Sequence, residues 1–179
     1  MTHRLAPALV LLLLLAAGCS EDEPEAADDP TTSTSATEAD YPEEGVDLVD
    51  RPELEGVYEQ ALQTYVDFER GRRLAAREGA VNRLLSFNGT ADVVDPYREA
   101  FSAYESGSYG GDVVIEFLDA RPRDMVLRID ICVDATRLVV PEGAPTQLGE
   151  ATRAPQRIEV TNFLGPWRVT EAEPVDGAC

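Results

Sequence analysis

The apolar positions of the chain follow two different periods on either side of Gly111. Before that glycine, apolar residues recur three and four positions apart, and after it they alternate with polar residues. The first spacing is typical of a helix that buries one face, and the alternation is typical of a half-buried strand. Helices followed by strands indicate an α+β domain, with the helices packed on one face of an antiparallel sheet.

Three helices are predicted in the first part of the chain. The longest runs from about residue 51 to residue 70, and Gly71 is expected to interrupt it. A weaker helix is predicted over residues 72–86, and a third over residues 92–106, after a turn at residues 88–90. The apolar stripe of the first helix consists of Leu54, Val57, Tyr58, Ala61, Leu62, Tyr65 and Val66.

Four strands are predicted after Gly111. The first begins at Val113 and ends before a turn at residues 121–124. The second covers residues 125–133, with Arg128, Asp130 and Cys132 on the face opposite its apolar residues. The third and fourth cover residues 156–163 and 167–173. We therefore expect a curved four-stranded antiparallel sheet.

The N-terminus has the composition of a bacterial lipoprotein signal. An apolar run that is too short to span a bilayer precedes Ala16-Ala17-Gly18-Cys19. These four residues resemble a lipobox, which implies that residues 1–18 are a signal peptide and that the Cys19 sulfur carries a diacylglyceryl group. The expected location is then the extracytoplasmic face of the cell membrane. The alternatives are an ordinary secretory signal and a short uncleaved anchor.

The stretch from Cys19 to Asp50 is predicted to be a disordered acidic tether. Residues 20–50 contain 12 acidic residues and no basic one, and such a composition cannot bury enough apolar surface to fold. A calcium-binding or peptide-binding tail is the alternative, although the carboxylates lack the spacing of a metal loop. The folded domain is accordingly predicted to cover residues 51–179.

Charge and composition narrow the possible partners and reactions. The net charge of −19 argues against nucleic acid as a partner. The one histidine, His3, lies in the predicted signal peptide, which excludes Ser-His-Asp and Cys-His catalysis and histidine-ligated zinc from the mature chain. We assign no catalytic residue, cofactor or metal ligand. The sequence contains one basic cluster, which consists of Arg70, Arg72, Arg73 and Arg77. This cluster is either a solvated helix face or a contact with anionic headgroups or with the tether.

Two cysteines remain when Cys19 carries lipid. Cys132 and Cys179 are an even pair in an oxidising compartment, so a disulfide between them is predicted, with two free buried thiols as the alternative. In the chain-entropy model such a bond contributes on the order of 4 kcal/mol.

Three short sequences carry a resemblance to a known group of proteins. Ile131-Cys132-Val133-Asp134, Pro166-Trp167-Arg168-Val169 and Gly177-Ala178-Cys179 resemble segments of small actinobacterial lipoproteins. The resemblance implies a cystatin-like domain, of the nuclear-transport-factor-two-like and ketosteroid-isomerase-like superfold. In that superfold a conical cavity lies between a concave sheet and its helices.

Three classes of function are compatible with these features. The first is a non-catalytic surface module that binds a protein partner or a small apolar ligand or lipid, and the second is an accessory subunit of an envelope complex. The third is an isomerase-like or cyclase-like enzyme, in which Asp130 acts as base with an aromatic hydroxyl. The candidate hydroxyls belong to Tyr58, Tyr65, Tyr97 and Tyr104. We favour the first class. The enzyme is disfavoured because pairing with Arg128, or a solvated position, explains Asp130 more simply.

Overall fold

The computed structural model describes residues 39–104, 109–162 and 165–179. The predicted signal peptide, Cys19 and residues 20–38 of the tether lie outside the described residues. The described chain is α+β, as predicted. Its elements in chain order are β1 (Val46–Val49), α1 (Val57–Glu78), α2 (Arg83–Asn88), α3 (Ala91–Ala103), β2 (Val113–Arg123), β3 (Val126–Asp134), the 3₁₀ helix η1 (Thr146–Leu148), β4 (Arg153–Thr161) and β5 (Arg168–Pro174).

The sheet has five strands in the order β1-β2-β3-β4-β5 and is mixed. The four predicted strands are present as the antiparallel strands β2 to β5. The difference is β1, which pairs parallel to β2 with Val46 opposite Val113. This strand lies within the stretch predicted to be tether, and Val46 is fully buried. The ordered chain therefore begins before residue 51.

Two residues of the basic cluster hold the segment that leads into β1. Arg70 donates to the Glu44 carboxylate at 2.7 Å, and its guanidinium lies 4.3 Å from the centre of the Tyr41 ring. Arg77 donates to the backbone carbonyl of Glu43. The interpretation as a solvated face is therefore wrong for these two arginines, which contact the acidic stretch.

The predicted break at Gly71 does not occur. α1 continues through Gly71 to Glu78, because a single glycine costs a helix only about 1 kcal/mol. The glycine lies at a contact point between helices. A Cβ atom there would lie 2.4 Å from the Leu85 backbone nitrogen in α2. Asn82 links the same two helices: its side chain accepts from the Leu85 N–H at 2.9 Å and donates to the Gly71 carbonyl at 2.8 Å. α2 therefore packs directly against the α1 backbone.

The structure also moves two predicted boundaries. α1 begins at Val57 and not near residue 51, because Gly56 has φ 60°, a conformation that interrupts a right-handed helix and that glycine adopts without strain. β2 continues to Arg123 through the stretch predicted to be a turn, and the chain reverses at Asp124 instead.

The two faces of the sheet have different surroundings. The inner face packs against α1 and forms the core with buried aliphatic residues, among them Leu62, Ile115, Ile129, Ile131 and Ile158. The outer face carries ion pairs and the side chain of Cys132, which is bonded to Cys179 with the two Cα atoms 5.9 Å apart. Within the described ranges, no helix is both long and apolar enough to cross a bilayer.

Candidate functional site

A cavity of about 570 Å³ lies between α1, α3 and the inner face of the sheet. Sites for small molecules generally measure about 300–1,000 Å³. The segment that contains η1 forms a further wall of this cavity. The residues that line the cavity include Phe68, Glu69, Arg72, Arg73, Asp92, Val93, Pro96, Tyr97, Val133, Glu150, Ala154, Gln156 and Ala172.

The cavity forms where small side chains replace large ones on the inner face of the sheet. Side chains two positions apart on a strand share a face. On β4 the inner face carries the buried residues Ile158 and Val160, but towards the start of the strand it carries Gln156, which also lines the cavity, and then the small residue Ala154. On β5 it carries Val169 and then Ala172, which lies opposite Ile158; a register shift between these two pairs places both residues on the same face although they are three positions apart. The space that larger residues would fill stays open.

Three charged residues of α1 lie together on the cavity wall. Glu69 Oε2 accepts from Arg72 Nε at 3.0 Å and from Arg72 Nη2 at 2.8 Å. Arg73 is only 4% exposed, and its Nε and Nη1 atoms are buried without a hydrogen-bond partner among the described residues. Two positive charges and one negative charge leave this buried cluster with one positive charge in excess.

Burial and neighbouring charges shift the pKa values in the cluster. Burial lowers the pKa of Arg73 to about 10, and the charge on Arg72 acts in the same direction. Burial by itself would also lower the pKa of Arg72, but the charge on Glu69 and the hydrogen bonds to it raise that pKa overall. At neutral pH Arg73 therefore remains protonated. No carboxylate of the described residues forms an ion pair with it, although the nearby charge on Glu69 favours its protonated form.

Tyr65 belongs to the same buried group. Its hydroxyl oxygen is buried with no hydrogen-bond partner in the described part of the chain. Burial raises the pKa of Tyr65, and the charge on Glu69 adds to the shift. The phenol therefore remains neutral and does not neutralise the excess positive charge of Arg73.

Replacing Arg73 with methionine is expected to stabilise the folded protein by about 1–3 kcal/mol, since an unsatisfied buried polar group costs about that much. Methionine is flexible enough to fill the same space without carrying a donor. Thermal unfolding followed by circular dichroism at pH 7 measures the effect. The control is Arg123→Met, which removes an exposed arginine and should change stability by less than about 0.5 kcal/mol. A lower melting temperature for Arg73→Met would contradict the prediction.

The stabilisation that Arg73→Met is expected to produce should decrease at high pH. In the folded protein the pKa of Arg73 is lowered to about 10, well below the ordinary value of an arginine. The folded protein thus releases this proton at a lower pH than the unfolded chain does. The cost of the buried charge is fully present below pH 10 and is relieved as the pH rises above that value. The gap in melting temperature between the variant and the wild type should therefore narrow above pH 10.

The structure places Asp130 away from the cavity. Asp130 is on the outer face of the sheet, where its Oδ1 accepts from Arg157 Nε at 2.8 Å and its Oδ2 contacts Arg121. Arg128, the partner expected from the sequence, pairs with Glu159 instead. Asp130 therefore does not reach the cavity as the base of the enzyme hypothesis.

The four candidate tyrosines are distributed over different parts of the domain. The hydroxyls of Tyr58 and Tyr104 donate to backbone carbonyls at 2.9 Å and 3.3 Å. Tyr65 is in the core, with its ring edge-on to Phe117. Tyr97 lines the cavity. The structure brings none of these hydroxyls together with Asp130.

Comparison of the chain with protein-family models, with curated proteins and with solved structures finds no match. The function is therefore inferred from the cavity itself.

Proposed function

We propose that the protein is a non-catalytic binding protein that holds a small molecule in the cavity between α1, α3 and the sheet. The observation that carries the proposal is the open cavity itself; the buried guanidinium of Arg73, which has no partner among the described residues, lies on its wall. A buried charge without a partner is costly to the fold. A ligand that supplies the missing partner would offset that cost.

An open cavity also favours a small ligand over a surface that only binds proteins. The aromatic residues of the sequence are compatible with a filled interior and with an open one. The space beside Ala154 and Ala172 favours the open form. The position of Asp130 on the opposite face of the sheet weighs against the isomerase-like alternative.

The proposed location and fold family rest on the sequence. The lipobox-like residues before Cys19 support a lipid anchor on the extracytoplasmic face of the membrane. The resemblance to small actinobacterial lipoproteins supports a cystatin-like domain. Helices on one face of a sheet, with a cavity between them, agree with that proposal. The parallel edge strand β1 is a feature that the resemblance did not lead us to expect.

Ligand binding is tested with residues 20–179, which retain every described residue and lack the proposed anchor. The probe is the uncharged dye N-phenyl-1-naphthylamine, whose fluorescence increases in an apolar site. We expect saturable binding by the wild type and loss of binding in Ala154→Phe, which fills the cavity. Ala80→Phe, at an exposed position after α1, should bind as the wild type does. Equal binding by both variants, or no binding to the wild type, would contradict the proposed function.

A further inference from the structure

The charges on the cavity wall indicate the chemical class of the ligand, on the premise that the cavity binds a small molecule. We propose that the ligand is an organic monoanion, whose acidic group pairs with the guanidinium of Arg73 and whose body packs on the apolar wall. Carboxylates and sulfonates both provide an acidic group with one negative charge that can pair with a guanidinium.

The acidic group is assigned to Arg73 because its neighbour already has a partner. Arg72 is bound through two of its nitrogens to Glu69. Arg73 lines the cavity, and its Nε and Nη1 find no acceptor in the described chain. Because these two atoms have almost no accessible surface, an acid in the cavity would reach them as the Arg73 side chain turns towards it. Nε and Nη1 lie on different edges of the planar guanidinium, and each shares its edge with Nη2, so an acid can bond to one edge at a time; such charge-assisted bonds are about twice as strong as neutral ones.

The charge balance of the site favours one negative charge over two. Glu69, Arg72 and Arg73 together carry one positive charge, which a single acid neutralises. Asp92 and Glu150 also line the cavity, and both are exposed. Their carboxylates would repel a second negative charge. The net charge of −19 for the whole chain acts in the same direction. A phosphate dianion is therefore a poor fit.

The remaining wall favours an organic ligand over an inorganic anion. Phe68 from α1, Val93, Pro96 and Tyr97 from α3, and Val133 from β3 present apolar or aromatic surface to the same cavity. Apolar contact contributes about 25 cal/mol per Å² buried. A bare inorganic ion would gain none of this contribution, whereas an acid attached to an aromatic or aliphatic body would gain it.

The experiment compares two dyes that share one ring system. The dye 1-anilinonaphthalene-8-sulfonate carries a single sulfonate, and N-phenyl-1-naphthylamine carries no charge. Dissociation constants are measured by fluorescence titration of residues 20–179 at pH 7. The wild type is compared with Arg73→Met and with the charge-matched control Arg123→Met. Competition with inorganic phosphate is measured in parallel.

We expect Arg73→Met to weaken sulfonate-dye binding about 10-fold to 100-fold, because one charge-assisted contact is lost. Binding of the uncharged dye should stay within about twofold, and millimolar phosphate should not displace the sulfonate dye from the wild type. The control should behave as the wild type with both dyes. Since Arg73→Met is expected to be at least as stable as the wild type, unfolding would not account for the loss.

Five outcomes would overturn the inference. An equal loss of both dyes in Arg73→Met would assign Arg73 only a structural role. Wild-type binding of the uncharged dye alone, or displacement of the sulfonate dye by phosphate, would reject an organic monoanion but leave the proposed function standing. Sulfonate-dye binding that persists in Ala154→Phe would place the dye outside the cavity. If the wild type bound neither dye, the proposed function would fail together with the inference.

Discussion

Replacing Glu69 with glutamine is expected to destabilise the folded protein by about 3–5 kcal/mol, the usual cost of removing one partner of a buried ion pair. Glu69 is 1% exposed and carries the negative charge that pairs with Arg72. Without it, two adjacent guanidinium groups would be buried with no counter-charge. Urea unfolding measures the effect as a lower midpoint with an unchanged slope.

Two variants test whether the buried charge causes that loss. Glu59→Gln removes a carboxylate that pairs with Arg51 in a partly exposed position, and it should cost no more than about 1 kcal/mol. Adding Arg73→Met to Glu69→Gln should recover part of the lost stability, because it removes one of the two unpaired charges. A loss in Glu69→Gln no larger than that in Glu59→Gln would contradict this account of the cluster.

The order of the elements could be predicted because it depends on local periodicity. α1, α3 and the strands β2 to β5 each repeat their apolar residues at the period of their own structure. β1 gave no such signal, since it has only four residues and lies in an acidic stretch. Its formation depends on pairing with Val113, which is far away in sequence. A contact of this kind cannot be read from the residues of β1.

The spacing of Glu69 and Arg72 along α1 indicates that both are buried. The predicted break at Gly71 led instead to a different helix for Arg72 and Arg73. Glu69 and Arg72 follow Leu62 and Tyr65 by seven positions, which is two helical turns, and so they continue the buried stripe of α1. With a break at Gly71, Arg72 and Arg73 would belong to a different helix with a different face. The close approach of Leu85, which explains the glycine at position 71, is a tertiary contact that the local sequence does not reveal.

The sequence predicts which residues of β3 lie on the outer face of the sheet, but it does not predict which residues they form ion pairs with. The alternation along β3 places Asp130 on the same side as Arg128 and Cys132, and the structure agrees. The partner of Asp130 depends on the register with the neighbouring strands, which brings Arg157 of β4 directly opposite it. The period of one strand therefore locates a carboxylate on one side of the sheet, while the register decides which arginine neutralises it.

Replacing Cys179 with serine is expected to lower stability by about 4 kcal/mol in the chain-entropy model. The bond joins residues separated by 47 positions and ties the C-terminus to β3. Cys179 is exposed, so the serine itself should disturb little, while Cys132 remains as a small buried thiol. Urea unfolding of the variant should match that of the wild type after reduction.

The exposed neighbour Ala178 provides a matched control for this change. Ala178→Ser should unfold as the wild type does, and equal stability of Cys179→Ser and Ala178→Ser would contradict the expected contribution of the bond. The bond lies on the outer face of the sheet and the cavity lies on the inner face. At a temperature where Cys179→Ser is fully folded, its affinity for N-phenyl-1-naphthylamine should therefore equal that of the wild type. A loss of stability without a loss of binding would separate the role of the disulfide from that of the cavity.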